Sequence, residues 1–120
     1  MTSDASNRVR GRWAEIFQRG VPAGVLEEQA GGGWGFRYLE GYSGPPVSLT
    51  MPVAERSFQF EEFPAIFEGL LPEGPQLEAL LRTHKIDRND AFRQLVTVGA
   101  DVVGSLTVAE GADDHQKEKE

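Results

Sequence analysis

The spacing of apolar residues changes period part-way along the chain, and that change dictates the class of fold. Up to Met51 the large side chains fall mostly on every second position; from Phe63 to Val96 they fall on every third and fourth. A period of two belongs to a strand with one buried face, and a period near 3.6 to a helix with one buried stripe. A chain that uses one period and then the other builds an α+β domain, with its helices gathered on one side of an antiparallel sheet.

The first half reads as four strands. Arg12–Gln18 alternates, with Ala14 and Ile16 on one face and Trp13, Glu15 and Phe17 on the other. Arg19-Gly20 turns the chain into Val21–Glu27, where Pro22, lacking an N–H, suits a strand start or an edge. Beyond the Gly31-Gly32-Gly33 turn, Trp34, Phe36 and Tyr38 alternate with Gly35, Arg37 and Leu39. Gly44-Pro45-Pro46 breaks the chain, and Val47, Leu49 and Met51 alternate with Ser48 and Thr50 as a fourth strand stopped at Pro52. The expected sheet is an antiparallel meander with an aromatic face.

The second half supplies three short helices. Phe63, Ile66, Phe67, Leu70 and Leu71 lie on one stripe, with Pro64 tolerated in the first turn and Pro72 ending the run. Leu77, Leu80, Leu81 and His84 form a second stripe, which places His84 at a core or boundary position. Asp87 reads as the N-cap of a third helix with Phe92, Leu95 and Val96 inward and Gly99 as its stop. Val102–Val108 is the last strand, with Leu106 and Val108 on one face. The polar ends, 1–7 and 109–120, are expected to be disordered, leaving one folded unit over 8–108.

Composition excludes more than it assigns. No cysteine is present, which removes a disulfide framework, a thiol nucleophile and a Cys-based zinc site. No apolar run is long enough to span a bilayer, and the N-terminus lacks a signal-peptide core, so a cytoplasmic protein without a membrane partner is expected. The net charge of −7 argues against direct nucleic-acid binding. The basic cluster Arg8, Arg10, Arg12 and Arg19 reads as a solvated strand edge.

Nothing in the chain reads as catalytic machinery. Gly31–Gly35 is followed by an alternating aromatic strand, whereas a phosphate loop needs a helix N-terminus there, so a hairpin turn is expected and no cofactor. No kinase catalytic or magnesium-binding motif occurs. His115 beside Asp113 and Asp114 reads as a solvated tail, so no metal is expected. Glu61, Glu62, Glu68 and Glu73 surround the first helix, where Glu61 and Glu62 suit a helix N-terminus better than a catalytic pair. A different feature draws notice: Leu71-Pro72-Glu73-Gly74-Pro75-Gln76 is a helix end followed by a turn stiffened by two prolines, with a charge at its tip. Such a turn loses little entropy on docking, so these six residues are the candidate partner-binding element. Phe58, with Trp13 and Trp34, is a candidate aromatic contact.

The run Phe67-Glu-Gly-Leu-Leu-Pro-Glu-Gly74, then Asp90-Ala-Phe92, then Val98-Gly-Ala-Asp101-Val-Val-Gly104-Ser-Leu106 resembles the N-terminal subdomain of HipA-type Ser/Thr kinases. Gly24-Val-Leu26, Phe36-Arg-Tyr38 and Val47-Ser-Leu-Thr-Met-Pro52 agree in order, so the resemblance spans about 12–108. In those kinases the chain continues into the catalytic domain. Here it stops just after the subdomain, so the expectation is a HipS-like small subunit of a three-component HipBST system. The resemblance then implies a non-catalytic antitoxin that binds a HipT-like kinase and restrains phosphorylation of aminoacyl-tRNA synthetases. A HipB-like helix-turn-helix protein would complete a ternary complex. The alternative it implies is an activating or scaffolding half of a split kinase. With no large aromatic in 72–76, any block by the turn would rest on shape and on Glu73.

Overall fold

The computed structural model describes residues 11–99 and 105–111. Five antiparallel strands, β1 (Trp13–Gln18), β2 (Val21–Glu28), β3 (Trp34–Tyr38), β4 (Ser57–Phe60) and β5 (Leu106–Glu110), form one sheet in the order β4-β3-β2-β1-β5. Three helices, α1 (Ala65–Glu68), α2 (Gly74–His84) and α3 (Ala91–Val98), complete an α+β domain, as the change of period predicts. The meander β1–β4 is as expected in kind, and the last strand returns to pair with the first. β5 runs through Ala109 to Glu110, past the expected end of the folded unit at 108. The termini expected to be disordered, and Val102–Gly104 of the expected last strand, lie outside the described residues.

Register explains why one face is buried. Ile16 stands opposite both Gly24 and Val108, Leu26 opposite Ala14 and Phe36, and Phe36 opposite Phe58. Because strand side chains alternate, this puts Ala14, Ile16, Leu26, Phe36, Tyr38, Leu106 and Val108 on one face. Phe67 of α1 with Phe92 and Leu95 of α3 join them in the core; Phe36, Phe67 and Phe92 are among its largest fully buried side chains. Pro22 is the second residue of β2, a central strand and not an edge, and lies where the register shifts between Ile16 and Phe17.

The fourth strand is not where alternation places it. Val47–Met51 is a loop, because its backbone groups bond to side chains instead of to a neighbouring strand. The buried Tyr38 hydroxyl accepts from the Val47 N–H at 3.0 Å and donates to the Met51 carbonyl at 2.5 Å. Arg56 donates to the carbonyls of Leu39, Tyr42 and Val53, and Gln18 to that of Pro46. The strand that pairs with β3 is Ser57–Phe60, which follows a 3-10 turn at Val53–Glu55.

Two helix boundaries also differ. The stripe Phe63–Leu71 is one turn of α-helix: Pro64 is its N-cap, Gly69 its C-cap, and Leu70 and Leu71 continue as i→i+3 turns until Pro72. Its contacts are as expected, since Phe63, Ile66, Leu70 and Leu71 pack against the core. The cap of α3 is Asp90, whose carboxylate accepts from the Arg93 N–H at 3.1 Å. Asp87 instead accepts from the Asn89 N–H and holds the turn before it.

Candidate functional site

The Leu71–Gln76 segment meets the N-terminal part of α3 across an open cleft of about 620 Å³. Leu71, Pro72 and Glu73 form one side, Arg88, Ala91 and Gln94 the other, with Phe63 between them. Local sequence builds this shape. Pro72 forbids continuation of the preceding turns, and Glu73 takes the extended N-cap conformation of α2. Gly74 has φ +60°, an angle that a side chain resists, and Pro75 then pre-sets the first helical turn. Gly74, Pro75 and Gln76 are exposed on the outer end of α2 and do not line the cleft.

The opposite side is held by polar bonds. Gln94 is buried, and its amide donates to the carbonyls of Asp87 and Arg88 at 3.2 and 3.0 Å, fixing the turn before α3. Arg88 is drawn to α2 by two 2.8 Å bonds to Glu78. That contact holds the Glu78 carboxyl below its usual range, through the hydrogen bond first and the charge second. Neither Arg88 nor Gln94 was a sequence candidate, because an Arg–Glu pair ten positions apart carries no local signature.

Charge along the segment that forms one side of the cleft is one-signed. From Ser57 to Leu81 the chain carries Glu61, Glu62, Glu68, Glu73 and Glu78 and neither lysine nor arginine. Among the described residues Glu78 alone of these five is ion-paired; Glu61, Glu62, Glu68 and Glu73 are exposed. Glu61 and Glu62 precede Pro64 and so stand outside α1.

The remaining candidates have structural surroundings. Phe58 packs inward on β4, edge-on to Tyr38 at 6.1 Å, and does not line the cleft. Trp34 stacks on Phe92 at 5.6 Å and meets Phe63 edge-on at 5.0 Å. Trp13 lies half-buried against Gly111, whose backbone N–H donates to its carbonyl. His84 is exposed at the end of α2, not on a core face, because α2 buries Leu81 alone. Arg12, expected as a solvated cation, donates to both Glu28 and Asp90 and lies 4.9 Å over the Phe92 ring. Arg8, Arg10 and His115 lie outside the described residues. Every buried side-chain nitrogen and oxygen among the described residues has a hydrogen-bond partner, and no group of three metal-ligating side chains occurs among them. A shaped acidic cleft with satisfied polar groups suits recognition of a surface.

Comparison with known proteins places this architecture. The family described as the HipA N-terminal domain matches residues 14–109. The chain belongs to that family. The solved N-terminal domain of HipA toxin superposes with a TM-score of 0.68 at 27% identity, covering 85% of this chain and 94% of that one. An uncharacterized protein of Haemophilus influenzae is 30% identical over 99 residues, 82% of this chain and 92% of that protein. The chain is thus a HipA-related protein of the toxin–antitoxin class, similar to the N-terminal part of the toxin. No helix among the described residues is long and apolar enough to cross a membrane.

Proposed function

We propose that this chain is a non-catalytic, HipS-like antitoxin subunit that binds a HipT/HipA-like Ser/Thr kinase and neutralises it. The observation that carries the reading is the family match, which spans nearly the whole described fold and is a match to a HipA N-terminal domain. The Haemophilus influenzae relative supports it, because 92% of that protein is taken up by the match: the domain occurs there at nearly its own length. The docking element is the Leu71–Gln76 segment. Its cleft presents Glu68 and Glu73 to solvent, and this charge suits the basic surface around a nucleotide-binding site. A HipB-like DNA-binding protein would join the complex through the kinase, with no direct contact between this acidic chain and DNA.

The similarity to part of the toxin itself favours a second reading, an activating or scaffolding subunit that completes a split kinase. One experiment separates the two: autophosphorylation of the purified kinase with and without this protein. Reduced phosphorylation in the complex is the expected result; a rise would replace the first reading by the second, and absence of a complex would end both. Glu73→Lys is expected to weaken the inhibition about tenfold, the effect of reversing one charge at a complementary interface. Unchanged inhibition would remove the turn from the interface.

A further inference from the structure

We infer that the Ser48-Leu49-Thr50 turn is a second docking element, an apolar anchor for a socket on the partner kinase. Gly41–Ala54 is a run of fourteen residues without Asp, Glu, Lys, Arg or His, in a chain that is 26% charged. At its centre Leu49 is 94% exposed, more than any other large hydrophobic side chain among the described residues. An exposed leucine alone needs no explanation. A leucine held outward by a rigid, uncharged loop is a different matter.

The loop is rigid because its neighbours are fixed. Val47 and Met51, on either side of the turn, are buried, and both are tied to the Tyr38 hydroxyl. The turn closes on itself, with the Met51 N–H donating to the Ser48 carbonyl at 3.0 Å and the Thr50 N–H to the Ser48 hydroxyl at 3.2 Å. Tyr42 donates to the Pro45 carbonyl at 2.6 Å, and Arg56 holds the carbonyls of Tyr42 and Val53 within the run and of Leu39 just before it. Leu49 is therefore presented in one place, and docking it costs little further ordering. Depletion of charge around a protruding apolar group is the composition of an interface core.

The surroundings select the occupant. Glu40 and Glu55 flank the uncharged run, and both are exposed. Two copies of this chain, each with a net charge of −7, would repel on meeting. An apolar socket rimmed by lysine or arginine matches both the leucine and the acidic charge of the chain that carries it. The acidic cleft calls for the same basic surroundings, so a single partner serves both elements.

This inference rests on the kinase-binding reading, and the test keeps the two apart. Affinity of the kinase for the full chain is measured by calorimetry for wild type, Leu49→Ala and Leu49→Asp, with the melting temperature of each free chain. Loss of one buried leucine side chain predicts binding about tenfold to thirtyfold weaker for Leu49→Ala, and a larger loss for Leu49→Asp, with melting unchanged. If the variants bind like wild type, the anchor is excluded while the kinase-binding reading stands. If wild type itself does not bind, both fall. Should either variant melt early, a photo-crosslinking residue at position 49 decides: a crosslink to the kinase, absent from the same residue at Thr83 on α2, supports the anchor, and no crosslink overturns it. A dimer of the free chain that Leu49→Asp dissolves would overturn it in favour of self-association.

Discussion

Arg12 joins three elements with one side chain. Its guanidinium bonds Glu28 at the end of β2 and Asp90 at the cap of α3, and its plane covers Phe92 beneath. The hydrogen bond from Arg12 is the largest influence on the Glu28 carboxyl and holds it below its ordinary range, against burial, which raises it. A carboxyl that releases its proton more readily folded than unfolded stabilises fully above the unfolded value. That stabilisation is lost as pH falls through the folded value. Arg12→Ala is expected to cost about 1 kcal/mol at neutral pH, a modest figure because the pair is partly solvated. Urea titrations across the acid range would then show a shallower loss of stability in the variant than in wild type. Tyr38 is the second such residue. Tyr38→Phe leaves the Val47 N–H and the Met51 carbonyl without their partner, at about 1–3 kcal/mol. Hydrogen exchange at Val47 and Met51 is expected to rise with it, while amides of β1 and β2 keep their protection.

Among the elements, β2 and β3 are closely fitted to each other. A β-carbon on Gly24 would collide with the Phe36 ring and meet the Arg37 carbonyl at 2.6 Å. The ring of one strand thus fills the space that the next leaves empty. Gly24→Ala is expected to destabilise by about 1–3 kcal/mol in chemical denaturation, since backbone as well as ring must yield. Unchanged stability would mean that the sheet can shift there. β1 and β3 were legible in the sequence because alternation over Arg12–Gln18 and Trp34–Tyr38 was unbroken and bounded by glycines. Val47–Met51 alternated equally well and is a loop, because one tyrosine hydroxyl supplies the bonds that a neighbouring strand would have offered. Ser57–Phe60 alternates too, yet four residues beside acidic Glu61-Glu62 gave too short a signal. The helical stripes named the correct contacts but overstated α1, where Pro64, Gly69 and Pro72 leave room for one turn. At the candidate site, the Pro-Glu-Gly turn was visible as punctuation. Its opposite side, Arg88, Ala91 and Gln94, was not, because the cleft exists only once α2 and α3 are folded against each other.

At the scale of the molecule, several positive charges among the described residues are taken up by internal contacts. Arg12, Arg37, Arg88 and Arg93 each meet a carboxylate, and Arg56 is occupied by backbone carbonyls. The chain carries a net charge of −7, so association with the proposed kinase partner is expected to be steered by charge. Its on-rate should fall severalfold between about 50 and 300 mM salt, with the off-rate nearly constant, as measured by stopped flow. An on-rate insensitive to salt would place the contact on the uncharged loop alone. The sheet order has its own consequence. The first strand is completed only by the last: Ile16 waits for Val108, and the Trp13 carbonyl for the Gly111 N–H. Pairing between opposite ends of a chain forms slowly, because loop closure must precede any reward. While the chain is being made, β1 therefore has a bare edge until β5 has emerged, and in that interval the edge is open to capture by the wrong strand.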